Sequence, residues 1–120
     1  MAAHNEFGKE GEAIALKYLK EKGFKIRESN WRSGRNEIDI IAQDGKFLVI
    51  VEVKSRKSNY AGEPEVAVDR KKQRLLIRAA NIYILRKNIK CETRFDIISV
   101  LLKDEEPIIH HIKDAFYPTL

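Results

Sequence analysis

Cysteine occurs once in the 120 residues, at Cys91, which excludes an intramolecular disulfide and a thiolate zinc cluster. Histidine is nearly as scarce. His4, His110 and His111 do not build a zinc site, since adjacent histidines on a strand point to opposite faces, and His110 and His111 read as a partly exposed strand pair. No apolar run approaches the ~18 residues of a membrane span. The opening Met-Ala-Ala-His lacks the charged-then-apolar pattern of a leader. The expectation is a cytoplasmic protein with no membrane association. Internal repeats, low-complexity tracts and interdomain linkers are missing too, so residues 1–120 are expected to form a single domain, burying roughly 60–70% of its unfolded surface.

What the chain has in excess is positive charge. Lysine and arginine number 23 against 18 aspartates and glutamates, a formal net charge of +5. That favours a polyanionic partner, although surplus charge also serves solubility and is weak by itself.

The stretch around which the rest is organised runs from Asn36 to Ser55. Two β-branched and apolar runs, Ile38 to Ala42 and Phe47 to Val53, flank Asp44-Gly45, a pair favoured in a two-residue type I′ hairpin turn. With Asp44 and Gly45 as the loop, Asp39 faces Ile50, Glu37 faces Glu52, and Asp39 lies diagonal to Glu52. Ile38, Ile40, Ala42, Phe47, Val49, Val51 and Val53 then share one face, a pure core face. The other carries Glu37, Asp39, Ile41, Leu48, Ile50, Glu52 and Lys54. Like charges directly opposite are unfavourable unless a cation relieves them. Two converging carboxylates fit a shared divalent ion. The bland alternative is the solvated end of an amphipathic hairpin with Lys54 and Arg56 as counter-ions. Against it, Glu52 and Lys54 close a nearly unbroken apolar run, where a buried strand should carry no charge.

Residues 5 to 22 are predicted to form a helix closed by Gly23. Glu12 falls on its apolar stripe and needs a partner, either a basic residue or the hairpin's cation. Gly8 and Gly11 imply close approach by another group, or else a frayed start. Phe24 and Ile26 open a strand that enters a basic loop, Asn30 to Arg35. There Trp31 reads first as a core anchor and second as a base-stacking group, while Arg27, Arg32 and Arg35 suit phosphates. A polar loop, Ser55 to Pro64, follows the hairpin and carries Arg56 and Lys57.

A second helix is predicted from an Asp69 N-cap to Arg86, with Leu75, Leu76, Ala79, Ala80 and Tyr83 buried. Arg70, Lys71, Lys72 and Arg74 crowd its first turns against the helix dipole, which suits a bound polyanion or a solvated face. Strands at 91 to 102 and Ile108 to Ile112 complete the chain, joined by a turn at Asp104 to Pro107. Arg94 and Asp96 are expected as a structural ion pair or as strand-edge contacts. The order αβββαββ indicates an α/β domain with a mixed central sheet flanked by helices.

Asp39 followed across a hairpin by Glu52-Val53-Lys54 resembles the PD-(D/E)xK nuclease site. Glu12 on the preceding helix resembles the archaeal Holliday-junction resolvase branch. More closely, the chain resembles the YraN-like family of small bacterial proteins, predicted endonucleases of uncharacterised role. The resemblance runs through Gly8 to Ala13, Asn30-Trp31-Arg32, Glu37 to Ala42, Val51 to Arg56, Lys72-Gln73, Arg94-Phe95-Asp96 and His111 to Phe116. Two departures are Asn36, where a Gly is usual, and Asp114, where an Asn is usual.

The resemblance implies a restriction-endonuclease-like core and metal-dependent hydrolysis of phosphodiester bonds in structured or branched DNA. Asp39 and Glu52 would hold Mg²⁺ or Mn²⁺, with Glu12 acting directly or through water and the Val53 carbonyl as a further ligand. Lys54 would orient or help deprotonate the attacking water. Nucleic-acid contacts would come from Arg32, Arg35, Arg56, Lys57, Arg70, Lys71, Lys72 and Gln73. A junction substrate would further imply a homodimer, with the strand at 108 to 112 or the Ser58 to Pro64 loop as candidate interfaces. The alternatives are a non-catalytic nucleic-acid-binding accessory module of the same fold, or an RNA-directed nuclease.

Overall fold

The computed structural model describes residues 6–57, 68–103 and 106–118. The Ser58 to Pro64 loop, His4, and Asp104 and Glu105 of the expected turn lie outside the described residues. The elements are α1 (Glu6–Glu21), β1 (Lys25–Ser33), β2 (Asn36–Asp44), β3 (Phe47–Lys57), α2 (Arg70–Lys87), β4 (Glu92–Leu102) and β5 (Ile108–Phe116). This is the predicted αβββαββ order. The five strands form one sheet in chain order. Every neighbouring pair is antiparallel except β3 and β4, which run parallel with α2 as their crossover.

Alternation along the strands explains why both faces are covered. Val49, Val51, Ile98 and Val100 pack with Ala15 and Leu19 of α1, while Leu48, Ile50, Phe95 and Ile97 pack with Leu76, Ala79, Ala80 and Tyr83 of α2. The central strands are therefore apolar on both sides, as a parallel pair between helix layers requires. Local signals set the helix ends. The Asp69 carboxylate accepts from the Lys72 N–H at 2.9 Å, and Asn88 closes α2 in the left-handed region, its N–H donating to the Ile84 and Leu85 carbonyls.

Four expectations need correction. Ser55 to Lys57, expected at the start of a loop, are the last residues of β3, paired with Val100 to Leu102 of β4. The β2–β3 turn is Gly45-Lys46, so Asp44 pairs with Phe47 and Ile40 with Val51. Gly45 has φ +58° and Lys46 a negative φ, the pattern of a II′ turn with glycine first. Arg94 on β4 draws Asp44 into the strand by a 3.0 Å ion pair. Next, the expected basic loop from Asn30 is mostly strand, with Gly34-Arg35 as a tight turn between Ser33 and Asn36. Finally, Ile38 does not join Ile40 and Ala42 on the α1 side; it packs in the α2 cluster with Trp31 and Ile41. Ile38 lies beyond Ile40, the last β2 residue paired with β3, and is paired instead with Trp31 of β1.

Candidate active site

Backbone pairing between β2 and β3 stops at Ile40 and Val51. One residue further, the Asp39 side chain replaces the backbone as acceptor, with Oδ2 taking the Val53 N–H at 2.8 Å. Continuing the register puts Asp39 directly opposite Glu52, not diagonal to it, and Glu37 opposite Lys54 instead of Glu52. The expected Glu37–Glu52 repulsion does not arise. Glu37 instead lies 3.7 Å from Arg32.

Glu52 is only 5% exposed. Burial first, then the Asp39 charge, push its carboxyl up to about 8, against the pull of Lys72 and Lys54 and with a hydrogen bond to Asp39. Both ammonium groups approach Glu52 Oε2 at 3.7 Å, Lys54 from two residues along β3 and Lys72 from the first turn of α2. Two carboxyls this close resist ionising together. Hard oxygen donors in that state fit a hard divalent cation, which would supply the missing positive charge.

Glu12 is buried, as its place on the apolar stripe required. It comes from α1, on the sheet face opposite Lys72. Gly11 lets that helix sit close, because a Cβ there would run into Ser55 Oγ and stand 3.0 Å from Ser55 Cβ. Among the described residues no three acids, histidines or cysteines converge as a ligand set. The structure thus brings together Asp39, Glu52 and Lys54 and adds Lys72, while Glu12, on the α1 side of the sheet, does not converge with the acid pair as a third ligand.

The remaining predicted site residues gather at the same end of the sheet, where β2 begins and β3 ends. Arg35 is exposed on the β1–β2 turn, Arg56 is half-buried on β3, and Arg70 and Lys71 are exposed at the start of α2. Lys57 lies over the Phe7 ring at 5.6 Å. Gln73 is tied down by a 3.0 Å bond to the Val68 carbonyl. Trp31 is a packing residue, edge-on to Tyr83 with ring centres 5.3 Å apart, and Arg27 donates to the Tyr83 hydroxyl at 3.2 Å. Lys72 was legible as part of a basic run, as a continuation of the buried stripe of α2 and in the Lys72-Gln73 stretch of the resemblance; its role as a second counter-ion to Glu52 depends on how α2 docks.

On the face opposite Glu52 lies a third buried acid. Asp96 accepts two 2.9 Å bonds from Arg94, one of 2.7 Å involving His111 Nε2 and one of 3.0 Å from the Asp114 N–H. Burial pushes its pKa up, but the His111, Arg94 and Asp114 bonds together pull it below the ordinary value. The expected Arg94–Asp96 pair is therefore present. His111 departs from expectation: its side chain is 5% exposed and Nδ1 meets the Tyr18 hydroxyl at 3.0 Å. Asp114 occupies the left-handed region at φ +54°, a conformation that Asn and Asp tolerate, so its departure from the usual Asn is accommodated.

A mixed sheet with helices on both faces, a parallel β3–β4 core and an acid pair at the break in the β2–β3 ladder define a restriction-endonuclease-like core. A family model described as "Uncharacterised protein family UPF0102" matches residues 11–100, and the chain belongs to that family, the YraN-like group its motifs resemble, within the Holliday-junction-resolvase-like nuclease superfamily. It is 44% identical over 120 residues to a UPF0102 protein of Phocaeicola vulgatus, covering 100% of this chain and 99% of the relative. A Bacteroides thetaiotaomicron UPF0102 protein is 48% identical over 120 residues, with the same coverage. One from Persephonella marina is 48% identical over 110 residues, 91% of each chain. Among the described residues no helix is long and apolar enough to cross a membrane.

Proposed function

We propose that the chain is a metal-dependent endonuclease that hydrolyses phosphodiester bonds in structured or branched DNA, in the cytoplasm. The observation that carries this is the Asp39–Glu52 pair, set where the ladder opens and flanked by Lys54 and Lys72 at 3.7 Å. A purely structural acid pair here would be costly, since burial and mutual repulsion raise the Glu52 carboxyl to about 8.

Asp39 and Glu52 would hold the cation, with Glu12 and the Val53 carbonyl as further candidate oxygens. Two carboxylates suffice for Mg²⁺, which commonly completes its shell with waters and substrate phosphate. When bound, Mg²⁺ or Mn²⁺ supplies Lewis acidity toward the phosphate and a more acidic water. The Val53 N–H fixes the Asp39 carboxylate in orientation. Lys72 holds part of the charge of Glu52, leaving the Lys54 ammonium to stabilise negative charge developing on the phosphate or to orient the attacking water. Arg32, Arg35, Arg56, Arg70 and Lys71 supply phosphate contacts at the same end of the sheet. Cutting a four-way junction requires two such sites, hence a homodimer. The β5 edge is the candidate interface within the described residues.

The test compares wild type with Lys54→Ala on labelled four-way junction, flap, single-stranded and duplex DNA and on RNA, with Mg²⁺, with Mn²⁺ and with chelator. Metal-dependent cleavage that the variant lacks supports the reading, and the best-cut substrate names the structure recognised. Binding without cleavage by either protein moves the function to a nucleic-acid-binding accessory module.

A further inference from the structure

The outer face of α2 is not covered by the sheet. Between it and the end of β5 runs a groove of about 800 Å³ whose lining includes Arg70, Arg74, Arg78, Ile77, Leu85 and Tyr117. We propose that this groove binds an unpaired stretch of nucleic-acid strand, with the arginines on its phosphates and Tyr117 stacked on a base.

Charge selects the occupant. The 18 residues of α2 include seven lysines and arginines and no acid, and no acidic residue lies in its first turn. A helix stabilised for its own sake would interleave glutamates at i,i+4 and keep cations away from its N-terminus. Arg70, Arg74 and Arg78 instead recur every four residues, about 6 Å apart along the axis, with no carboxylate of the helix among them. Such a row suits a polyanion that tracks the helix. An acidic protein partner would meet the same charge, and the aromatic favours nucleic acid over it.

Shape then favours a single strand over a duplex. Tyr117 is 66% exposed and Leu85 80% exposed, both in the wall of a concave surface. A rigid duplex keeps its base faces stacked inside and offers nothing to Tyr117, whereas an unpaired strand presents phosphates on one side and π-faces on the other. Arg70 and Gln73, which line one end of the groove, belong to the same first turn of α2 as Lys72, which reaches Glu52 from the sheet-facing side. A strand in it would lead away from the Asp39–Glu52 pair along the length of α2. The binding stands independently of hydrolysis.

The experiment is fluorescence anisotropy in chelator, with a labelled 12-nucleotide oligothymidylate and a duplex of the same length, for wild type, Arg74→Ala/Arg78→Ala, Tyr117→Ala and Tyr117→Phe. All three positions are exposed, and circular dichroism confirms that each variant folds. The arginine variant should bind the oligonucleotide about tenfold or more weakly, with its salt slope reduced by about 1.4 for two lost phosphate contacts. Tyr117→Ala should weaken oligonucleotide binding about tenfold and leave the duplex unchanged, and Tyr117→Phe should retain it. Unchanged oligonucleotide affinity in the arginine variant overturns the proposal. So does an equal loss on both nucleic acids in Tyr117→Ala, or wild-type dimerisation abolished by Tyr117→Ala without any change in binding. Because no metal is present, absent cleavage in the earlier test leaves this result standing, and absent groove binding leaves the nuclease reading standing.

Discussion

Glu52 and Asp96 are both buried acids on the parallel pair β3 and β4, one rung apart: Val51 pairs with Asp96 and Glu52 with Ile97. They face opposite helix layers and titrate in opposite directions. Asp96 is surrounded by donors from Arg94, His111 and the Asp114 backbone, and its pKa is lowered despite burial. Glu52 faces another acid, with two ammoniums no nearer than 3.7 Å, and is raised to about 8. Burial alone therefore does not mark a functional acid. A carboxylate whose donors are complete is a structural joint, and one left short of positive charge is a place for a cation.

The largest expected effects separate the two acids. Glu52→Gln should reduce metal-dependent cleavage by roughly 10³-fold while leaving the thermal midpoint unchanged or raised, because it mimics the protonated carboxyl. Asp96→Ala should do the reverse. It removes the acceptor shared by Arg94, His111 and the Asp114 N–H and leaves Arg94 only its Asp44 pair, which costs roughly 3–5 kcal/mol, a fall in Tm on the order of 10 °C, while cleavage per folded molecule is retained. Cleavage assays beside thermal melts of both variants decide this. Equal loss of stability in the two would break the comparison.

Gly11→Ala is expected to cost about 1–3 kcal/mol, since its Cβ would meet the Ser55 side chain. Denaturant unfolding measures this, and Ser55→Gly in the same chain should restore most of the loss.

A smaller effect is the pH dependence of stability. Folded Glu52 keeps its proton up to about pH 8, whereas the unfolded chain releases it in the ordinary carboxylate range. Between those values the folded state binds the extra proton, so this group's contribution falls as pH rises through the window. Asp96 behaves oppositely: its contribution is present above the ordinary carboxylate range and is lost as pH falls through its lowered folded value. Melts from pH 5 to 9 should show a decline for wild type that Glu52→Gln flattens. Added Mg²⁺ should raise Tm more at pH 9 than at pH 6. The least effect is expected at Arg32, whose partly exposed pairing with Glu37 is worth less than about 1 kcal/mol; urea unfolding of Arg32→Ala checks it.

Much of this was legible in the chain. The strands announce themselves by β-branched runs, α2 by Asp69 at one end, and the acid pair by charges closing an apolar strand. The burial of Glu12 and the packing role of Trp31 follow from spacing and composition. The register was not legible, because Asp44-Gly45 and Gly45-Lys46 both satisfy a two-residue hairpin turn, and the choice between them moves Asp39 from diagonal to opposite Glu52. His111 likewise read as half-exposed, since neither Asp96 nor Tyr18 is near it in sequence.

The sequence by itself determined the αβββαββ order, the helix caps, the two-sided hydrophobic centre of the sheet and the residues from which a site could be built. These depend on backbone propensity, side-chain alternation and caps, all settled within a few residues. The tertiary structure alone decided which turn forms, through Arg94 reaching Asp44 from β4. It also decided which buried acid is neutralised, through Lys72 of α2 and the Arg94–His111–Asp114 set, because charge and burial act through space among groups that the chain order keeps far apart.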